Sequence, residues 1–264
     1  MLLAAALWIV APPATLACPA TRIDFAPPAD IPMILERRIE RELGQGIFVQ
    51  RVDYRIAFTP AGRGWRLQLQ QVAQNAEGPP GLLRLLALQE QSAEGETLDA
   101  TLDEGGAVLG ISESPDAPQR LAAAIARLRA DPALTARPAA ERAQIGAMLD
   151  RLAALPPEER AEIARARIAR LVMLASRPCA DGIVTTEEGA RYRLASDSGD
   201  SLLLEASQRS SSADGSALSV TDRVILSKAT GLVMAFDRET VTEAGGTSRK
   251  ARESVRVRSA ETGN

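Results

Sequence analysis

Histidine is absent from all 264 residues of the chain. Without imidazole there is no Ser-His-Asp or Cys-His catalysis, no His-ligated zinc and no ordinary proton shuttle near neutral pH. Lysine is nearly missing too: Lys228 and Lys250 are the whole set, so the basic charge is almost all arginine. That skew reads as codon composition and not as a recognition device. Neither lysine completes the S-x-x-K spacing of Ser-Lys hydrolases, because Ile225 and Thr247 hold the first position. No glycine loop of either common phosphate-binding type occurs. Aromatics make up 3% of the chain, and 31 basic residues against 34 acidic ones form no long block of one sign. Nucleic acid wants a basic face with stacking rings, so it is not expected as a partner.

What is present begins with residues 1–17, MLLAAALWIVAPPATLA, an uncharged apolar stretch broken late by Pro12 and Pro13. It is too short to span a bilayer and ends in Thr15-Leu16-Ala17, a small-x-small cleavage signal. The expectation is an export signal cut after Ala17, with Cys18 the first mature residue and a periplasmic or secreted protein as the product. The stretch has no Lys or Arg, so either the α-amino group alone supplies its positive charge or translation starts upstream. Two other readings stay open: a buried N-terminal helix, and a lipid anchor on Cys18. Against the anchor, Thr15 stands where a bacterial lipoprotein signal usually has Leu. No later segment is long and apolar enough to form a transmembrane span.

Cys18 and Cys179 are the only cysteines. In an exported chain such a pair most simply forms a disulfide, the alternative being two unpaired thiols. Closing a loop of about 160 residues is worth at most about 5 kcal/mol.

Hydrophobic residues at 45% and charged ones at 25% are ordinary for a globular chain. Residues 18–258 are expected to form one α+β domain, with 259–264 a disordered tail. Within it, 21–112 is β-rich, 116–177 helical and 182–258 an antiparallel meander. Phe48, Val52, Tyr54, Ile56 and Phe58 alternate with polar positions, and Trp65, Leu67 and Leu69 do so after the Pro60–Gly64 turn. A second hairpin runs from Thr97 to Ile111, and a short helix is expected over 80–89. For 33–43, a helix would stack Glu36 on Glu40 and Arg37 on Arg41, so a strand is preferred. It places Leu35, Ile39 and Leu43 on one face, with Arg37 and Arg41 between them.

The period turns helical at Leu121, Ala124, Ile125 and Leu128. It repeats at Ile145, Met148, Leu149 and Leu152, and again at Ala164, Ile168, Leu171 and Val172. Pro156-Pro157-Glu158-Glu159 is a helix start, which accounts for that acid pair without catalysis. Each helix has one apolar face, so all three are expected to pack on the sheet. The last strand, 247–258, is charged on both faces, as a protected edge strand would be. The fold expected is thus an antiparallel, strongly curved sheet from two β-rich segments, with a central block of amphipathic helices packed on it. That layout resembles the periplasmic lipoprotein carriers, which implies an acyl-chain cavity between helices and sheet.

Gly199-Asp200-Ser201-Leu202 spells the nucleophile motif of the GDSL esterases, but the family needs a histidine base and carries the motif early in the chain. A β-turn entering a strand explains it better. Phe48, Tyr54, Phe58 and Trp65 form the one constellation with a binding reading, as the lining of an apolar pocket; core packing is its competitor. No catalytic residue, metal site or cofactor is expected. Three functions are weighed: an exported, non-enzymatic protein binding an apolar small molecule or an envelope protein; a purely structural assembly protein with a solid core; and a carboxylate-dependent enzyme.

Overall fold

The computed structural model describes residues 16–18, 22–44, 46–79, 83, 86, 97–212 and 214–260. The signal stretch over 1–15 lies outside them. So does most of the helix expected over 80–89, within which Leu83 and Leu86 are helical. The molecule is mostly sheet, with 51% of residues in strands and 23% in helices.

Strands β1 (Met33–Leu43), β2 (Gly46–Ala61), β3 (Gly64–Glu77), β4 (Thr97–Leu102) and β5 (Val108–Glu113) come first. Helices α1 (Ala117–Ala130), α2 (Pro132–Thr135), α3 (Ala139–Ala153) and α4 (Pro157–Val172) follow. The chain then returns to strands: β6 (Cys179–Ala180), β7 (Ile183–Thr185), β8 (Arg191–Asp197), β9 (Ser201–Ser211), β10 (Ala217–Ser227), β11 (Val233–Ala244) and β12 (Thr247–Ser259). All join one antiparallel sheet of twelve strands, ordered β5-β4-β3-β2-β1-β12-β11-β10-β9-β8-β7-β6.

The strand assigned to 33–43 holds, and its charges explain why. Pairs that would repel along a helix find cross-strand partners instead: Arg51 meets Glu36 at 3.0 Å and Arg37 meets Glu253 at 2.8 Å. β12 is not the edge strand expected from its charges. It lies between β1 and β11 and welds the two β-rich segments into one sheet. Its outward charges pair across the ladder, Arg252 with Glu239 at 3.1 Å and Arg256 with Asp237 at 2.7 Å. An interior strand needs no edge protection, and most of the charge on β12 is paired with other strands, Arg249 and Arg258 excepted.

The helical block packed on a sheet is also corrected: a large sheet dominates, and of helices α1 to α4 only α4 packs substantially on it. Helices α1, α2 and α3 settle their apolar stripes on one another, burying Ala124, Ile125 and Leu149. Met148 and Leu152 stay 48% and 39% exposed, so those stripes never needed the sheet. An ion pair between Arg129 of α1 and Asp150 of α3 ties the hairpin, and the Asp131 carboxylate caps α2 through the Ala133 amide at 2.8 Å. α4 differs in burying Ala164, Ile168, Leu171 and Val172 within the main core. It also guards the β5 side, where Arg165 Nη1 donates to the Val108 carbonyl at 2.9 Å.

Residues 22–32 form a strap that crosses from the segment after α4 to the β10–β11 turn and β2. The Ser176 amide donates to the Ile23 carbonyl at 3.1 Å, Ala26 to Thr230 at 3.0 Å and Asp30 to Phe58 at 2.7 Å. Phe25 sits inside, edge-on to Phe58 at 5.9 Å and to Trp65 at 6.3 Å. Cys18 is bonded to Cys179, so the head of the strap is fixed covalently beside β6. The strap runs close over Gly231, where an added Cβ would stand 2.6 Å from the Asp24 carbonyl oxygen, at a φ of +67°. Gly231→Ala is therefore expected to cost about 1–3 kcal/mol in strain and displaced backbone. Chemical denaturation measures it, and an unchanged midpoint would mean the strap does not seat there.

Candidate functional site

Core packing and sheet parity define an inner face, and the four sequence-selected aromatics fall on it unequally. Phe58 is fully buried and Tyr54 is 7% exposed, while Trp65 packs half-buried against the same cluster. Phe25, which periodicity could not pick because it stands in no regular element, completes that group. Phe48 is buried farther up β2, near Gly78, and lies outside the main cluster. Beneath α4, Ile56, Leu67, Leu204 and Phe236 from the sheet share one contiguous core with Ile168 and Leu171.

Above that core the inner face turns ionic. Asp222, only 4% exposed, sits on β10 among apolar neighbours of the same parity. Arg238 on β11 is its cross-strand partner and grips it with two bonds, Nε to Oδ1 and Nη2 to Oδ2, both 2.7 Å. The Tyr192 hydroxyl donates to Oδ2 at 2.8 Å, so the buried carboxylate has three donors. One strand pair away, Glu253 faces Arg238 in the ladder and accepts from Arg37 Nε at 2.8 Å. Arg170 of α4 reaches the same carboxylate as an ion pair. Between the two clusters lies Phe236, with the Arg170 and Arg238 guanidinium carbons 4.8 and 5.4 Å from its ring centre. Strands from both β-rich segments and the core helix thus converge on one network.

The ionisation of these groups follows from their surroundings. Burial pushes Glu253 up, but Arg170 and Arg37 outweigh it and leave its carboxyl below the usual glutamate range. Burial first, then the bond to Asp222, holds the Tyr192 phenol well above its ordinary value. The bonds to Asp222 likewise raise Arg238. These directions favour the neutral phenol of Tyr192, the guanidinium of Arg238 and the carboxylate of Glu253.

Among the described residues the sheet continues past this network without helical cover. On the inner face, Arg41 and Leu43 of β1, Leu218 of β10 and Arg249 of β12 are all exposed. Ile39, Val220, Thr240 and Ala251 stand half-buried among them. Sequence reasoning missed Tyr192, Asp222, Arg238, Glu253, Arg37 and Arg170 as a set. The signal existed: Asp222, Arg238 and Glu253 each occupy a position where strand alternation calls for an apolar residue.

Other candidates are weaker. Gly199 and Asp200 form a bend between β8 and β9, where the Ser201 hydroxyl lies 2.9 Å from that of Ser198 and shares no hydrogen bond with a basic side chain among the described residues. A depression of about 630 Å3 is lined by outward-facing Arg38, Glu205, Arg223, Glu239 and Arg252 together with Asp222, Arg238 and Glu253 of the network. Its charges neutralise one another, as in Arg223–Glu205 at 3.0 Å. A smaller one of about 300 Å3 lies among α1, α2 and α3. Among the described residues no cluster of His, Cys, Asp or Glu could hold a metal ion, and no helix is long and apolar enough to cross a membrane.

The chain matches no family model and no curated protein. Among solved structures, an N-terminal dehydratase from the difficidin assembly line is similar at a TM-score of 0.12 and 10% identity, over 86% of this chain and 77% of that one. A likeness that slight carries no argument.

Proposed function

We propose that this is an exported, non-enzymatic protein of the cell envelope that binds a protein partner along the uncovered part of the sheet's inner face. One observation carries the reading: among the described residues the inner face is filled beneath α4, and past the ionic network Arg41, Leu43, Leu218 and Arg249 are exposed, Phe48 beside Arg41 being the buried exception. Phe58, Leu67, Leu204 and Phe236 of the sheet are fully buried in one core with Ile168 and Leu171 of α4, which favours direct packing over an acyl-chain cavity. Farther along the same face Leu43 and Leu218 are 39% and 40% exposed, which is apolar surface awaiting contact. The absence of histidine argues against catalysis. The Cys18–Cys179 disulfide supports an oxidising compartment, and the sulfur it uses on Cys18 is the one a lipid anchor would need.

Two measurements test this. Protein taken from the native envelope should begin at Cys18; an intact Met1 in a cytoplasmic fraction would end the export reading. A photo-crosslinker replacing Leu218, on the inner face, should trap an envelope protein in living cells, whereas one replacing Ser219, on the outer face, should not. Equal crosslinking from both positions overturns the assigned face. Apolar probes that shift the emission of Trp65 would return the apolar-ligand reading to favour.

A further inference from the structure

The charges on the bare part of the inner face are segregated by sign. On β1 to β3 and β9 to β12 the ladders place every acid except Asp222 and Glu253 on the outer face. Those two carboxylates are already held by Arg238, Arg37 and Arg170. Arg41 and Arg249 stand beyond them on the same face, exposed, and neither shares a hydrogen bond or ion pair with a described residue. Guanidiniums therefore outnumber carboxylates on this face, although the whole chain carries a net charge of −3. On the outer face Arg51, Arg223, Arg256 and Arg252 are matched by Glu36, Glu205, Asp237 and Glu239, while Arg55 and Arg258 share no hydrogen bond or ion pair with a described residue.

Spacing adds a second constraint. Arg37 and Arg41 share the inner side of β1 with Ile39 midway between them, roughly 13 Å apart at the rise of a strand. Arg37 donates Nε to Glu253 yet stays 32% exposed, so its fork keeps free N–H groups. Ala251, directly opposite Arg41, extends the apolar strip onto β12. Resting on the function proposed above, we infer that the partner presents an extended acidic-amphipathic segment, with carboxylates four residues apart and an aliphatic side chain halfway. The carboxylates meet Arg37 and Arg41, Arg249 strengthens the second contact, and the aliphatic group lies on Ile39 and Ala251. Guanidinium forks suit carboxylates in this role, since each can take two parallel bonds.

The test uses the mature, disulfide-bonded protein and a synthetic twelve-residue peptide carrying Glu-Ser-Leu-Ser-Glu repeats. Calorimetry compares it with the same peptide bearing Lys for Glu, and amide shifts map the contact. The Glu peptide should bind, weaken at least tenfold between 50 and 300 mM salt, and shift the amides of Ile39, Thr240 and Ala251. Arg41→Glu with Arg249→Glu changes two exposed side chains that have no partner among the described residues, so the fold should persist, as circular dichroism would verify. It should cut Glu-peptide affinity at least tenfold and admit the Lys peptide. Equal binding of both peptides, no binding at millimolar concentration, or shifts confined to the outer face would overturn the inference. Binding to phosphatidylglycerol vesicles in place of the peptide would assign the face to a membrane surface. Self-association abolished by the double variant would assign it to a second copy. If the peptide fails while crosslinking from Leu218 still traps an envelope protein, the face is right and the partner chemistry wrong.

Discussion

Cys18→Ser combined with Cys179→Ser is expected to lower the unfolding free energy by up to about 5 kcal/mol, the chain-entropy ceiling for so long a loop. The bond closes 161 positions of sequence with the two Cα atoms 5.9 Å apart. Its local effect should be plainer than its global one. Without it, the strap keeps the Arg22–Pro178 bridge, a few backbone hydrogen bonds and the seat of Phe25 against Phe58 and Trp65. Segments held by few contacts open before the core does. Hydrogen exchange should therefore accelerate first at the Ala26 and Asp30 amides, which bond to Thr230 and Phe58, and later in β2. Reduction of the wild-type protein should reproduce both changes. Unchanged exchange at Ala26 would mean that Phe25 alone holds the strap.

Strands were legible wherever one face is apolar and the other polar, as at Val52, Tyr54, Ile56 and Phe58, because that alternation has a single physical cause. Strand order was not legible. The contact of β12 with β1 joins residues more than two hundred positions apart, and nothing local in either strand declares it. The charges of β12 misled for the same reason, since an arginine awaiting a cross-strand glutamate looks the same in sequence as one left in water. The helical stripes misled in another way. An amphipathic helix must cover its apolar face, but its pattern does not say with what, and α1 and α3 used each other. At the site, Phe58 and Tyr54 were found because apolar parity points at them. Asp222 and Glu253 were missed because a charged residue at a core-facing position registers as an interruption until its partners on other strands are known.

Those interruptions should prove costly to remove one at a time. Asp222→Ala would leave Arg238 without its two bonds and Tyr192 without its acceptor, in a place where the carboxylate is 4% exposed. Breaking one partner out of a buried pair typically costs 3–5 kcal/mol, and about 3 is expected here because the Arg238 side chain remains 36% exposed to water. Asp222→Asn keeps the shape and one acceptor, so it should lose less. The same network fixes how stability responds to pH. Glu253 has a folded-state pKa below its unfolded value, so its contribution is complete above the ordinary glutamate range and fades as pH falls through the depressed one. Tyr192 has a raised folded-state pKa, so its contribution is complete below about 10, the unfolded value, and fades as pH climbs beyond that. Denaturation midpoints measured across pH should decline on both sides of neutrality. Glu253→Gln should flatten the acid limb and Tyr192→Phe the alkaline limb. If either variant leaves its limb unchanged, that residue is not tied into the network as the geometry places it, and the bare face loses the ionic boundary that separates it from the core.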